Sequence, residues 1–120
     1  MKYLLLVYHD EKTDVDALPI EDQNAIVGEV FEYLEDLKAN GKYLAASPLQ
    51  PAHTASTLRV HNGALSVTDG PFVETKEQLA GFYLIEARDF NDAIRLASKT
   101  PSARLGSIEI RPLKELTLRD

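Results

Sequence analysis

The chain has 120 residues, 44% hydrophobic and 27% charged, with a formal charge of −6. That length supports one domain, residues 1–120, around a single core. The absence of cysteine excludes disulfides, thiolate nucleophiles and cysteine-based metal sites, and the scattered basic residues leave no electrostatic footprint for nucleic acid.

No apolar run approaches the length of a membrane span, so no membrane association is expected. The opening Met1-Lys2-Tyr3-Leu4-Leu5-Leu6-Val7-Tyr8 has one basic residue, and His9-Asp10-Glu11 stands where a signal peptide needs small residues. It reads instead as a strand over 2–8, and the protein is expected to be cytoplasmic. Both alternating faces of that strand are apolar, Tyr3, Leu5 and Val7 on one and Leu4, Leu6 and Tyr8 on the other, as in a strand covered on both sides. His9 to Leu18 reads as a polar loop.

Pro19 suits the first position of a helix, with Glu21 and Asp22 at its positive end. Ile26, Val27, Val30, Phe31, Leu34 and Leu37 recur at spacings of three and four, one apolar stripe of an amphipathic helix that stops at Asn40-Gly41. Its other side carries Glu29, Glu32, Glu35 and Asp36, read as a solvated face rather than a metal site. Tyr43 to Leu49 reads as the second strand, bounded by Pro48 and Pro51.

Asn62-Gly63 is a strong hairpin turn signal. Pairing outward sets Val60 against Leu65 and Leu58 against Val67 on an apolar face. Arg59 meets Ser66 and Thr57 meets Thr68 on a polar one. Gly81 to Ala87 reads as a strand apolar on both faces. Asp89 is a good N-cap for a short helix whose stripe is Ala93, Ile94 and Ala97, ended by Thr100-Pro101. Ser107 to Leu113 alternates like a half-buried strand, and Lys114 to Asp120 is a polar tail in which Leu116 and Leu118 suggest pairing.

The resulting order is β-α-β, a hairpin, then β-α-β. It predicts an α+β ferredoxin-like domain, an antiparallel sheet with two helices on one face. Two helices leave the other face bare, so either Tyr3, Leu5 and Val7 or their opposite set needs a partner. A second copy meeting sheet to sheet is the expected partner, giving a homodimer that encloses an internal space.

Chemistry-bearing residues concentrate in Asp69-Gly70-Pro71-Phe72-Val73-Glu74-Thr75-Lys76-Glu77. Asp69 can bond following amides around the Gly70-Pro71 reversal, and Phe72 can pin the loop to the core. In an extended segment Glu74 and Lys76 point the same way. A shielded carboxylate–ammonium pair suits acid/base or anion-binding chemistry. The alternative is a structural salt bridge flanking a tight turn, with Glu77 capping a short helical turn. Arg59 and Arg111 can grip a carboxylate, although Glu109 offers Arg111 an edge-strand ion pair. Tyr8 and Tyr83 can present hydroxyls to a cavity. His9, His53 and His61 show no metal-ligand spacing, so no metal is expected; His9 ends a central strand, where a pocket can open, but the favoured reading is of surface loop histidines. No cofactor motif is present, and none is predicted.

At Asp69-Gly70-Pro71-Phe72 the chain resembles the YCII-related family, in the branch named for that tetrapeptide. The likeness continues through Glu74, Lys76-Glu77, Gly81-Phe82-Tyr83, Ala93-Ile94, Thr100-Pro101 and Glu109-Ile110-Arg111-Pro112. The resemblance implies a dimeric α/β barrel built from ferredoxin-like protomers, in a superfamily that includes small-molecule isomerases, monooxygenases and haem enzymes. The histidine–aspartate pair of the better-studied YCII branch does not carry over, because no histidine lies between Asp10 and Ala52. The expectation is a small dimeric enzyme acting on a polar organic molecule between the sheets. Asp69, Glu74 and Lys76 are its candidate acid/base groups, with Gly70, Pro71, Phe72, Glu77, Arg59, Arg111 and Tyr8 as binding candidates. A binding or regulatory module without catalysis, and a purely structural motif at the dimer seam, are the alternatives.

Overall fold

The structure, a computed structural model, describes residues 1–10 and 15–119. Among the described residues, six strands and three α-helices follow one another as β1 (Lys2–Asp10), α1 (Ile20–Ala39), β2 (Tyr43–Pro48), β3 (Ser56–His61), β4 (Ala64–Asp69), β5 (Glu77–Glu86), α2 (Phe90–Ser98), α3 (Ser102–Leu105) and β6 (Ser107–Pro112). Four strands form an antiparallel sheet in the order β2-β5-β1-β6, and β3-β4 forms a separate two-stranded sheet. This is the double split βαβ plan. Its central strands are the two whose sequences are apolar on both faces.

The helix-covered face of β1 is Tyr3, Leu5 and Val7. It packs with Tyr83, Ile85 and Ala87 against Tyr33 and Leu37 of α1 and Ala93, Leu96 and Ala97 of α2. The bare face is therefore the opposite set. Leu4 pairs with Leu84 and Leu6 with Phe82, and all four side chains are half-buried. Arg111 and Glu109 share that face, since they pair with Leu4 and Leu6 on the other side of β1.

The helices follow their local signals. Pro19 precedes α1, Asn40 ends it, and Gly41 takes φ 68 just beyond, the left-handed conformation that glycine tolerates. Asp89 caps α2 by accepting from the Asp92 amide at 2.8 Å. The hairpin register is as expected, with Asn62 at φ 50 and Gly63 at φ 77, the signature of a type I′ turn.

Four features differ from the sequence-based expectations. The first strand runs on to Asp10, so His9 is a strand residue paired with Gln78. β5 begins at Glu77, so Glu77 starts a strand instead of capping a helical turn. The α1 stripe is not uniformly core: Leu37 is buried, together with Tyr33 from outside the stripe, while Val27 and Phe31 are exposed, because the N-terminal half of the helix stands off the sheet. In α2, Leu96 is buried and Ile94 exposed. Glu11 lies outside the described residues, and the tail residues Leu116 and Leu118 are exposed and in no strand.

Candidate functional site

The gap under the raised half of α1 is a cleft of about 690 Å³, within the size range of small-molecule sites. Its roof is Ile26, Val27, Val30 and Phe31, and its floor is Val7, Ala80 and Tyr83 of the central strands. Polar groups enter this apolar space from β1 (His9 and Asp10), from the following turn (Asp16) and from the short turn before β3 (His53). Alternation along β1 puts His9 on the same face as Val7, so its imidazole lies on the helix side of the sheet.

His9 is held from behind by Gly106. A Cβ at residue 106 would stand 2.1 Å from the Tyr8 carbonyl oxygen and 2.6 Å from His9 Cδ2. Only glycine lets the α3–β6 junction approach this closely. Burial pushes the hydroxyl of Tyr83, on the floor, and that of the neighbouring Tyr33 of α1 above their ordinary ionisation range. Both rings are therefore neutral at physiological pH, and they meet edge to face at 5.3 Å.

The Asp69–Glu77 segment is placed differently from the sequence expectation. Asp69 ends β4, paired with Ser56. Gly70 takes φ 100, donates its amide to the Ala55 carbonyl at 2.7 Å and accepts from Thr57 Oγ1 at 2.9 Å. The turn thus ties off the base of the hairpin. Phe72 does not pin the loop to the core. It is 71% exposed, and the Arg59 guanidinium lies 5.1 Å from its ring centre, a cation–π contact. Lys76 reaches Asp10, at 3.9 Å, so it is the motif residue joined to the cleft. Asp69 and Glu74 are exposed and outside the cleft lining. Glu77 accepts from Ser107 Oγ at 2.9 Å.

Arg111 makes the edge-strand ion pair with Glu109 at 3.4 Å. Tyr8 lies on the bare face with Leu4 and Leu6, away from the helix-side cleft. A second groove, about 560 Å³, runs between α1 and α2. The acidic row of α1 contributes Glu29, Glu32 and Asp36 to it, opposite Arg95, Lys99 and Arg104. Glu29 is ion-paired with Arg104, so opposite charges line this groove. Among the described residues no cluster of His, Asp or Glu has metal-holding geometry, and no helix is long and apolar enough to cross a membrane.

Sequence reasoning set His9 at the end of a central strand, where a pocket can open, but favoured a surface loop, and it missed the cleft-lining role of His53. The missed signal is the odd-residue parity Val7, His9, which continues the core face of β1 by one more step.

A four-stranded antiparallel sheet with the split βαβ crossovers and an apolar cleft beneath its first helix defines a ferredoxin-like α+β protein with a small-molecule-sized cleft. Residues 1–117 match the YCII-related domain, and the chain belongs to that family. An uncharacterized protein of Rhizobium meliloti (strain 1021) is 36% identical over 115 residues, spanning 94% of this chain and 92% of the relative. Among solved structures, the 5-chloro-2-hydroxyhydroquinone dehydrochlorinase TftG of Burkholderia phenoliruptrix AC1100, in complex with 2,5-dihydroxybenzoquinone, aligns with a TM-score of 0.57 at 16% identity, covering 95% of this chain and 94% of the other. At that identity the likeness concerns the fold.

Proposed function

We propose that this protein is a small homodimeric enzyme that binds a compact organic molecule in the cleft beneath α1 and carries out acid/base chemistry on it. The observation that carries this reading is the cleft, an apolar chamber with an imidazole and carboxylates entering its wall. An apolar space of this size favours a ring or short chain, and the polar groups orient it by its hydroxyl or carbonyl substituents. His9 is the proton-transferring group, because imidazole is the side chain whose ordinary range lies nearest neutral pH. Asp10, ion-paired with Lys76, lines the cleft next to it. Hydroxylated quinones of the kind bound by TftG are the first compounds to screen, since they combine a flat apolar ring with polar edges.

The bonds around Gly70 favour a structural role for Asp69, Gly70 and Pro71, that of closing the hairpin base. The bare face of Leu4, Leu6, Phe82 and Leu84 is the surface on which a second copy meets the first, sheet to sheet.

Native mass spectrometry of gently purified protein, repeated under denaturing conditions, tests both parts. The expected result is a dimer carrying extra mass that is lost on denaturation. Turnover of the identified compound then has to fall in His9→Gln. A folded His9→Gln protein with unchanged turnover removes His9 from the chemistry, and a complex always recovered unaltered makes the protein a binding module.

A further inference from the structure

The hairpin stands apart from the rest of the molecule. It is a sheet of two strands, an arrangement that is marginal in water by itself. Its apolar face is unprotected, with Leu58, Val60, Leu65 and Val67 all between 59% and 66% exposed. Its roots lie at the rim of the cleft. Pro51, Ala52 and His53 line the cleft just before β3 begins at Ser56, and the chain re-enters the lining at Gln78.

Two quantities say how much surface awaits cover. The chain exposes 8851 Å², whereas a folded monomer of 13.3 kDa exposes about 6,400 Å². The surplus, on the order of 2,000 Å², is what one protomer of an obligate dimer buries. The radius of gyration is 16.6 Å, against about 14 Å for a compact domain of this length. The overall dimensions, 47 × 47 × 19 Å, describe a thin slab with projecting parts.

We infer that the β3–β4 hairpin is an arm that docks by its apolar face on a second copy of this chain, over the open mouth of that copy's cleft. This rests on the dimeric part of the proposal above and not on its catalytic part. One chain carries both halves of the contact. The arm is apolar and projecting, and the cleft mouth is apolar and concave, with Phe31 64% exposed. Reciprocal insertion closes a two-fold dimer without leaving either surface open. The site is then complete only in the dimer, with the partner's arm forming its outer wall.

The absence of cysteine makes the test clean. Leu65→Cys and Phe31→Cys are prepared as separate full-length proteins, mixed, allowed to exchange subunits and oxidised. The expected result is a disulfide-linked dimer in the mixture, absent from either variant alone. Leu65→Asp is expected to shift the sedimenting mass from dimer to monomer. A dimer that persists in Leu65→Asp and gives no mixed cross-link overturns the arm contact and leaves the sheet face as the interface. A monomeric parent protein overturns it too, and ligand binding by that monomer would still uphold the cleft reading. A mixed cross-link in a protein that binds no small molecule upholds the arm and removes the enzyme.

Discussion

Lys42 Nζ lies 3.2 Å from Asp92 Oδ2, joining the residue before β2 to the first turn of α2 through a carboxylate that is 3% exposed. The same carboxylate accepts from the Arg88 amide at 3.0 Å and from Arg95 Nη2 at 2.7 Å. These donors hold Asp92 well below its ordinary value of 3.8, the Arg88 amide first and the Arg95 guanidinium next.

Asp92→Asn is therefore expected to lower the melting temperature at neutral pH. The sign follows from linkage: a lowered folded-state pKa gives stability that is present above the ordinary carboxylate range and lost as pH falls through it. The gap between parent and variant should narrow as pH drops toward about 3. Thermal melts of both proteins across that range decide it; a gap independent of pH sinks the explanation.

Tyr33 donates its buried hydroxyl to the Leu96 carbonyl at 2.9 Å, joining α1 to α2. Tyr33→Phe should cost about 0.5–1.5 kcal/mol in a denaturant titration. Burial raises the Tyr33 pKa above its ordinary 10.0. The folded state therefore resists ionisation, and stability declines as pH rises past about 10. The alkaline decline should be shallower in Tyr33→Phe.

Gly106→Ala is predicted to destabilise the fold by about 1–3 kcal/mol, as overpacking does. It should also displace His9, since the added methyl collides with the Tyr8 carbonyl and His9 Cδ2. Equal stability of Gly106→Ala and the parent would show that the junction does not approach this closely.

Gly70→Ala should loosen the base of the hairpin. A side chain at φ 100 carries about 1–3 kcal/mol of backbone strain. Amide exchange at Gly70 and Thr57, followed by NMR, is expected to accelerate in the variant before the central strands are affected. Unaltered protection there contradicts the hairpin-closing role of the turn.

The local signals were legible because their causes lie within a few residues. Asn62-Gly63 sets its own turn and register, Asp89 caps its own helix, and Asn40-Gly41 ends the long one. The two-faced apolar strands identified β1 and β5 as central. The Asp69–Glu77 cluster was legible as a feature but not as an arrangement. Lys76 pairs with Asp10, a residue of another strand, and Phe72 meets Arg59 across the hairpin base. Such contacts depend on how the turn is aimed, and spacing carries no information about that.

By itself the sequence determined the split βαβ order, the hairpin pairing and the existence of one bare apolar face, because periodicity and turn chemistry act over short separations. Only the tertiary structure decided which face of β1 is bare, since the two faces are nearly equal in apolarity and the choice lies with what the helices bury. It also decided that α1 buries Tyr33 and Leu37 fully while Val27 and Phe31 stay exposed. A helical stripe states which residues prefer to leave water, but the angle at which the helix meets the sheet decides which of them succeed. The residues it lifts clear, with His9 at the end of β1, make the cleft.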